Sequence, residues 1–458
     1  MSSPTFTENV RVPEQTALKE GLVTVLLGIA IVLVIMNTMM FNLALPEVSR
    51  SFGISASATS WIVTGYSIVF AISSITYSRL SDFVPIRRLI MIGLVSLSAA
   101  AVAGLFSNSF VVLMAVRIVQ ASGAGSIPAL SLILISRYVP MERRGKAMAT
   151  VMSAASLGLG LGPVFGGAIV EFLGWRYLFA VTAVTLLLVP FFAVLLPKET
   201  PNKGSFDAIG GLLAGVGTTG LLLFLTTGSW IALTAGLIAL VLFVLRIRYA
   251  ADPFVQPSLF RNRSYLTLGA VGIAAYLCSF ATLFIMPQIL VNLYGLSAIV
   301  SGFVIFPGSL LAMLLSRRVG KMIDRYGNGG IIRYIPYVLL ASVVLFALFA
   351  GKSYIAIMLI YMLVSVGFTF LTSSISNEMS RILPASQIGS GMGLFQLLQF
   401  FSGAFGVAAT ASALVWQRKL SLPVAYGNIY WGITVIVAAS IGCAYYYLRQ
   451  TARTVKAT

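Results

Sequence analysis

Residues Ser78–Arg88 read SRLSDFVPIRR, and Gly320–Gly327 read GKMIDRYG. Each stretch places one aspartate, Asp82 or Asp324, among basic residues between two long apolar runs, and the two aspartates stand 242 positions apart. One loop type recurring in both halves of a chain rich in apolar runs is the mark of a duplicated membrane protein. Halves related in this way rock against each other around a central site.

Composition sets the same frame. The chain has 458 residues, is 59% hydrophobic and only 9% charged, where a soluble domain carries roughly 25% charged residues. Mean hydropathy is +0.98. Fourteen apolar runs lie between Gly21 and Tyr447, most near the ~20 residues that carry a helix across hydrocarbon. The seventh, tenth and eleventh runs (Ile209–Leu225, Ile299–Leu315 and Ile335–Ala350) are short. The expected fold class is therefore an all-α integral membrane protein with fourteen transmembrane helices.

The net charge of +18 is not a nucleic-acid signature, because Lys and Arg fall in alternate loops. Arg79, Arg87, Arg88, Arg137, Arg143, Arg144, Arg246, Arg248, Arg317, Arg318, Lys321, Arg325 and Arg333 lie on one side. The intervening loops hold only Arg50, Arg176, Lys352, Arg418 and Lys419. This positive-inside bias puts both termini in the cytoplasm, in agreement with an even number of spans, which returns the chain to its starting side. No cleavable signal is expected, since the first twenty residues are polar and the following apolar run has no small-residue cleavage site. With two cysteines, Cys278 and Cys443, and no histidine, a disulfide framework, a metal centre and His-based catalysis are all excluded. No cofactor is implied, and an enzyme would need a His, Cys or carboxylate constellation that is absent. A channel would need a repeated pore motif, and none is visible.

The chain divides as a 1–20 cytoplasmic tail, a 21–196 six-helix bundle, a 197–263 linker carrying an inserted helix pair, a 264–448 six-helix bundle and a 449–458 tail. In this 6+2+6 order, both aspartate loops follow the second helix of their half. At such a loop an Asp can accept from free backbone N–H groups and pair with nearby Arg, so its partners can differ between two conformations. Asp82, Arg87, Arg88, Asp324 and Arg325 are accordingly candidate gating residues.

Arg117 is the one formal charge inside an expected span, about seven residues and so roughly 10 Å from its outer end. An intramembrane Arg costs some 2.5 kcal/mol or more and marks a functional site by default, although snorkelling to the interface is open to it. Gln120 shares its face, and Gly123 and Gly125 permit close helix approach. In the fifth span, Gly158–Gly167 read GLGLGPVFGG. Gly158, Gly162 and Gly166 form a packing stripe, and Pro163, with Gly167 beyond it, makes the segment a candidate hinge. Asn37, Thr38, Asn42, Gln288, Gln396 and Gln399 are candidate cavity-lining residues, each open equally to a role in holding helices together.

These segments together resemble the major facilitator superfamily, specifically its fourteen-helix drug:proton antiporter branch. The family's loop motif maps to Ser78–Arg88 with Asp82, Arg87 and Arg88 retained and Ser78 and Pro85 at two usual glycine positions. RIVQASGAG (Arg117–Gly125) matches the fourth-helix motif, and Gly158–Gly167 the antiporter motif. NLALPEVSRSF, SRYVPMERRGKAMA, GWRYLF, DPFVQPSLFRN, VIFPG and GSGMGLFQLLQF resemble the Gram-positive tetracycline exporters of the Tet(K) and Tet(L) kind. The resemblance implies a facilitator fold in the plasma membrane. It also implies secondary-active efflux of a small lipophilic drug, tetracycline among the candidates, driven by protons by alternating access in a monomer. Export of an endogenous lipid or metabolite on the same scaffold is the alternative.

One departure bears on mechanism. Those exporters carry intramembrane carboxylates where this chain has Thr38, Leu159 and Gly403. Its twelve acidic residues, among them Glu47, Asp82, Asp324 and Glu378, all lie in tails, loops or span edges. A buried cation without a core carboxylate favours a neutral or anionic substrate. Proton coupling would then fall to the edge acids.

Overall fold

The computed structural model describes residues 19–54, 56–200, 207–250, 253–384 and 387–457. Fourteen helical spans are long and apolar enough to cross a membrane, built on seventeen α-helices. The first half comprises α1 (Glu20–Phe52), α2 (Ala56–Leu80), α3 (Ile86–Leu105), α4 (Phe110–Ala124), α5 (Ser126–Tyr138), α6 (Met141–Phe172), α7 (Leu178–Ala183) and α8 (Val189–Leu195). Here α4 and α5 form one span with a break at Gly125, and α7 and α8 form another with 3-10 turns before each. The inserted pair is α9 (Ala208–Thr227) and α10 (Trp230–Tyr249). A short α11 (Ser258–Arg261) leads into the second half, α12 (Arg263–Asn292), α13 (Ala298–Tyr326), α14 (Gly329–Phe349), α15 (Tyr354–Ile382), α16 (Ile388–Trp416) and α17 (Leu422–Ala457).

Local chemistry sets the boundaries. Ser109, Ser229, Asn262 and Ser297 cap α4, α10, α12 and α13 by accepting a backbone N–H from the first turn. Gly53 and Gly228 end α1 and α9 with φ of 63° and 69°, a left-handed conformation that a Cβ disfavours. Asp207 holds the inserted pair together: it accepts from Gly210 N at 3.0 Å, Arg246 Nε at 3.2 Å and Phe254 N at 3.3 Å. Helix α17 runs on to Ala457, through most of the stretch expected as a cytoplasmic tail at 449–458.

One buried apolar cluster runs through both halves, from Val23 to Tyr447, and the halves meet along two seams. In one, α6 of the first half runs against α13 of the second; in the other, α2 runs against α16. The second helix of each half thus packs on the fifth helix of the other. Helix α9 lies against both α2 and α16, so the inserted pair flanks the second seam from outside.

Candidate functional site

Arg117 does not snorkel. It sits inside the first half at 0% exposure, with its guanidinium between the rings of Phe41 on α1 (3.9 Å to the centroid) and Tyr66 on α2 (4.0 Å). In its plane, Nη1 donates to Gln120 Oε1 at 3.1 Å and to Asn37 Oδ1 at 3.4 Å, and Nε donates to the Ile62 carbonyl at 3.4 Å. Asn37 in turn donates to the Tyr66 hydroxyl at 3.2 Å and accepts from Thr182 Oγ1 at 3.0 Å. Four segments of the first half, α1, α2, α4 and α7, therefore converge on one cation.

Among the described residues no carboxylate pairs with Arg117, and Arg117 Nη2 and Gln120 Nε2 are buried without a protein partner. Two desolvated cation–π faces of about 2 kcal/mol each supply what a counter-ion would. The backbone allows this crowding because Gly125 touches the backbone of Phe70 and Ser74 on α2, while Gly123 meets Gly93 and Leu97 on α3.

The two aspartates occupy corresponding places at the basic end. Asp82 accepts from Arg79 at 2.8 Å and from Arg137 at 3.0 Å, and Arg137 also holds the Ser81 carbonyl at 2.8 Å. Across the α2–α16 seam, a Cβ on Gly389 would overlap the Asp82 carboxylate and one on Gly393 would overlap Ser78. Asp324 accepts from the backbone N–H of Lys146 on α6 at 3.2 Å. Gly145 lies against Ile323 and Asp324, and Gly320 against Lys146. Arg144 adds a hydrogen bond to Ser380 of the second half at 3.3 Å. The basic end is thus closed by two related glycine-lined contacts, each centred on an aspartate. Burial raises both carboxyls above their ordinary range, against the pull of Arg79 and Arg137 on Asp82 and of the Lys146 and Gly145 backbone on Asp324.

Other expected residues stand apart. Arg87 is half-buried and Arg88 exposed at the start of α3, and among the described residues neither pairs with Asp82, which Arg79 of α2 and Arg137 of α5 hold. Arg325 is exposed and lies over Tyr326. Gln288 donates to the Phe284 carbonyl of its own helix at 3.2 Å; Thr38 donates to the Val34 carbonyl at 3.2 Å and also reaches the Tyr66 hydroxyl at the margin of the cage. Asn37 belongs to the arginine cage, whereas Gln396 and Gln399 lie in α16 of the other half, so these candidates do not share one wall. The side chain of Asn42 lies outside the described residues. Gly158, Gly162 and Gly166 pack on α1 at Ile35, Met39 and Met40, and α6 runs unbroken through Pro163. Gly167 is buried in the same helix.

Sequence reasoning missed a matched pair of clasps. In the first half, Glu199 accepts from the Tyr138 hydroxyl at 2.6 Å and from Ile86 N, the first N–H of α3. In the second, Glu378 accepts from Tyr447 at 2.8 Å and from Asn328, which precedes α14. The acid and tyrosine have exchanged helices between the halves, which hides the correspondence from a motif search.

The family model of the Major Facilitator Superfamily matches residues 27–407. The chain belongs to that superfamily. Among its superfamily relatives, the riboflavin transporter RibZ of Clostridioides difficile (strain 630) is 25% identical over 455 residues, covering 95% of this chain and 99% of RibZ. The multidrug resistance protein Stp of Mycobacterium tuberculosis is 25% identical over 399 residues, covering 84% of this chain and 74% of Stp. Two solved facilitator structures share the fold. The human organic anion transporter MFSD10 has a TM-score of 0.68 at 16% identity, covering 92% of this chain and 99% of its own. The proton:xylose symporter XylE has a TM-score of 0.70 at 15% identity, covering 94% and 96%. The protein is a multi-pass membrane transporter of this superfamily, not an enzyme.

Proposed function

We propose that this facilitator is a secondary-active exporter of a lipophilic, drug-like molecule, working as a monomer in the plasma membrane by proton-driven alternating access. The observation that carries the reading is the paired closure of the basic end, Asp82 against Gly389 and Asp324 against Lys146. The positive-inside bias makes that end cytoplasmic. In this reading the halves part there to admit substrate, with Pro163 as the bend in α6, and close there to release it outside. Protons act through the edge acids Asp82 and Asp324, because the cage holds a fixed cation and no titratable carboxylate. The net positive charge of Arg117, with no carboxylate beside it among the described residues, favours a neutral or anionic substrate.

Resemblance to tetracycline exporters makes tetracycline the first compound to test, and the likeness to Stp supports drug efflux in general. A second reading, export of an endogenous metabolite, is favoured by the near full-length match to a riboflavin transporter. The test is uptake of tetracycline and of riboflavin into everted vesicles, with a pH gradient imposed and then collapsed by ionophore. Gradient-dependent accumulation of tetracycline is the expected result. Accumulation of riboflavin alone selects the metabolite reading, and movement of neither beyond empty vesicles sinks both.

A further inference from the structure

Resting on the second of those readings, export of a metabolite, we infer that the substrate seat is an aromatic cleft on the α2–α16 seam, and that it takes a planar heteroaromatic molecule. The molecule presents a hydrogen-bond donor and acceptor along one edge and carries no positive charge.

Five rings meet at this level. Phe70 of α2 crosses the seam to Phe400 of α16, centroids 4.8 Å apart and edge to face. Phe400 also meets Tyr276 at 5.9 Å and Phe280 at 6.5 Å, both on α12. Phe368 of α15 completes the group, 5.0 Å from Tyr276. The Phe70–Phe400 contact joins the moving halves, so rocking must separate it. A flat ring entering there would take over stacking from both sides, which an aliphatic or globular solute could not do.

The polar groups define the edge of the ligand. Gln396 shares the Phe400 face of α16 at four-residue spacing, and Gln399 stands three residues from Gln396 on the side turned to α12. Both are 1% exposed, and Gln396 Oε1 and Gln399 Nε2 have no protein partner. Gln399 lies against Gly272 of α12, on the face that also carries Tyr276 and Phe280. An unpaired acceptor and an unpaired donor three residues apart on α16, both out of water, match an imide or lactam edge.

Charge excludes cations. Phe70 stacks on Tyr66 at 6.1 Å, and Tyr66 covers the Arg117 guanidinium. One fixed positive charge therefore stands two rings behind the cleft, with no carboxylate paired to it among the described residues.

Riboflavin, a neutral tricycle with an imide edge, serves as the probe, because stacking on aromatic rings quenches its fluorescence. Purified full-length protein is titrated with riboflavin, with N3-methylated riboflavin and with the planar cation ethidium. The expected result is saturable quenching by riboflavin, at least about tenfold weaker binding of the N3-methyl compound, and no competition by ethidium. Gln396→Leu, which removes the acceptor for the ligand N–H, should weaken riboflavin about tenfold while leaving the N3-methyl compound unchanged, and Phe400→Leu should weaken both flavins. Equal affinities for the two flavins, competition by ethidium, or no saturable quenching each overturns the assignment. The wild-type series decides the matter even where a variant fails to fold. Export of tetracycline by vesicles without flavin binding would remove this seat and leave the exporter standing. Flavin binding as described, with no compound moved by vesicles, would remove the exporter and leave the seat.

Discussion

Replacing Arg117 with methionine should leave the fold intact and abolish transport. The guanidinium is at 0% exposure, so its desolvation costs several kcal/mol. Against this stand ring contacts at 3.9 and 4.0 Å, worth about 2 kcal/mol each, and the 3.1 Å bond to Gln120, worth about 1.5–3 kcal/mol. The bonds to Asn37 and Ile62, both 3.4 Å, are too long to add much. The terms nearly cancel. Methionine fills the same space between Phe41 and Tyr66 without a charge, so stability should change by less than about 2 kcal/mol in either direction. Tyr66→Leu should cost more, about 3 kcal/mol or above, because it uncovers one face of a charge that stays buried. The assay is thermal unfolding of purified protein beside gradient-driven transport in vesicles. Arg117→Met should melt within about 4 °C of the parent while transport falls about ten- to hundredfold. A variant that fails to assemble would show the arginine to be structural, and wild-type transport would remove it from the mechanism.

Three further outcomes are expected. The Asp82 and Asp324 carboxyls are raised by burial when the basic end is closed and fall when opened to water. The closed state binds the proton more tightly, so acidification into that window should favour closure and a rise in pH should favour opening. Protease access to the basic end as a function of pH reports this, and Asp82→Asn with Asp324→Asn should flatten the response; greater access on acidification would reverse the sign. Gly389→Val should block closure by overlapping the Asp82 carboxylate, giving a folded protein with lost transport. Tyr138→Phe and Tyr447→Phe each remove a short bond onto a carboxylate, at 2.6 and 2.8 Å. Each should cost about 1.5–3 kcal/mol in thermal unfolding, and no change in melting would show the clasps to be incidental.

The fourteen spans were legible because an 18–20-residue apolar run has one reading in a membrane protein. The short runs at 209–225, 299–315 and 335–350 were underestimated. Their helices continue through charged or polar ends, as α13 does from Ala298 through Arg325 to Tyr326. The echo of Asp82 in Asp324 was legible as a repeat, but not its partners, since Gly389 and Lys146 come from the opposite halves, the one uncharged and the other donating through its backbone. Arg87 and Arg88 were attractive by nearness in sequence, whereas helix geometry delivers Arg79 one turn back and Arg137 from α5. The cage around Arg117 was half-legible. Gln120 follows from i+3 spacing, while Asn37, Phe41 and Tyr66 arrive from other helices. Asn37 read as cavity lining because a polar residue in an apolar run does not reveal which helix it faces.

Alternating access around this seam is tested most directly by a distance across the basic end. With Cys278 and Cys443 replaced, spin labels at the exposed positions Glu142 and Lys321 straddle the α6–α13 contact. The account expects a short separation at acidic pH and a second, longer population at alkaline pH, with the Gly389→Val variant held in the longer one. A single short distance under every condition, in a preparation that transports, would contradict it.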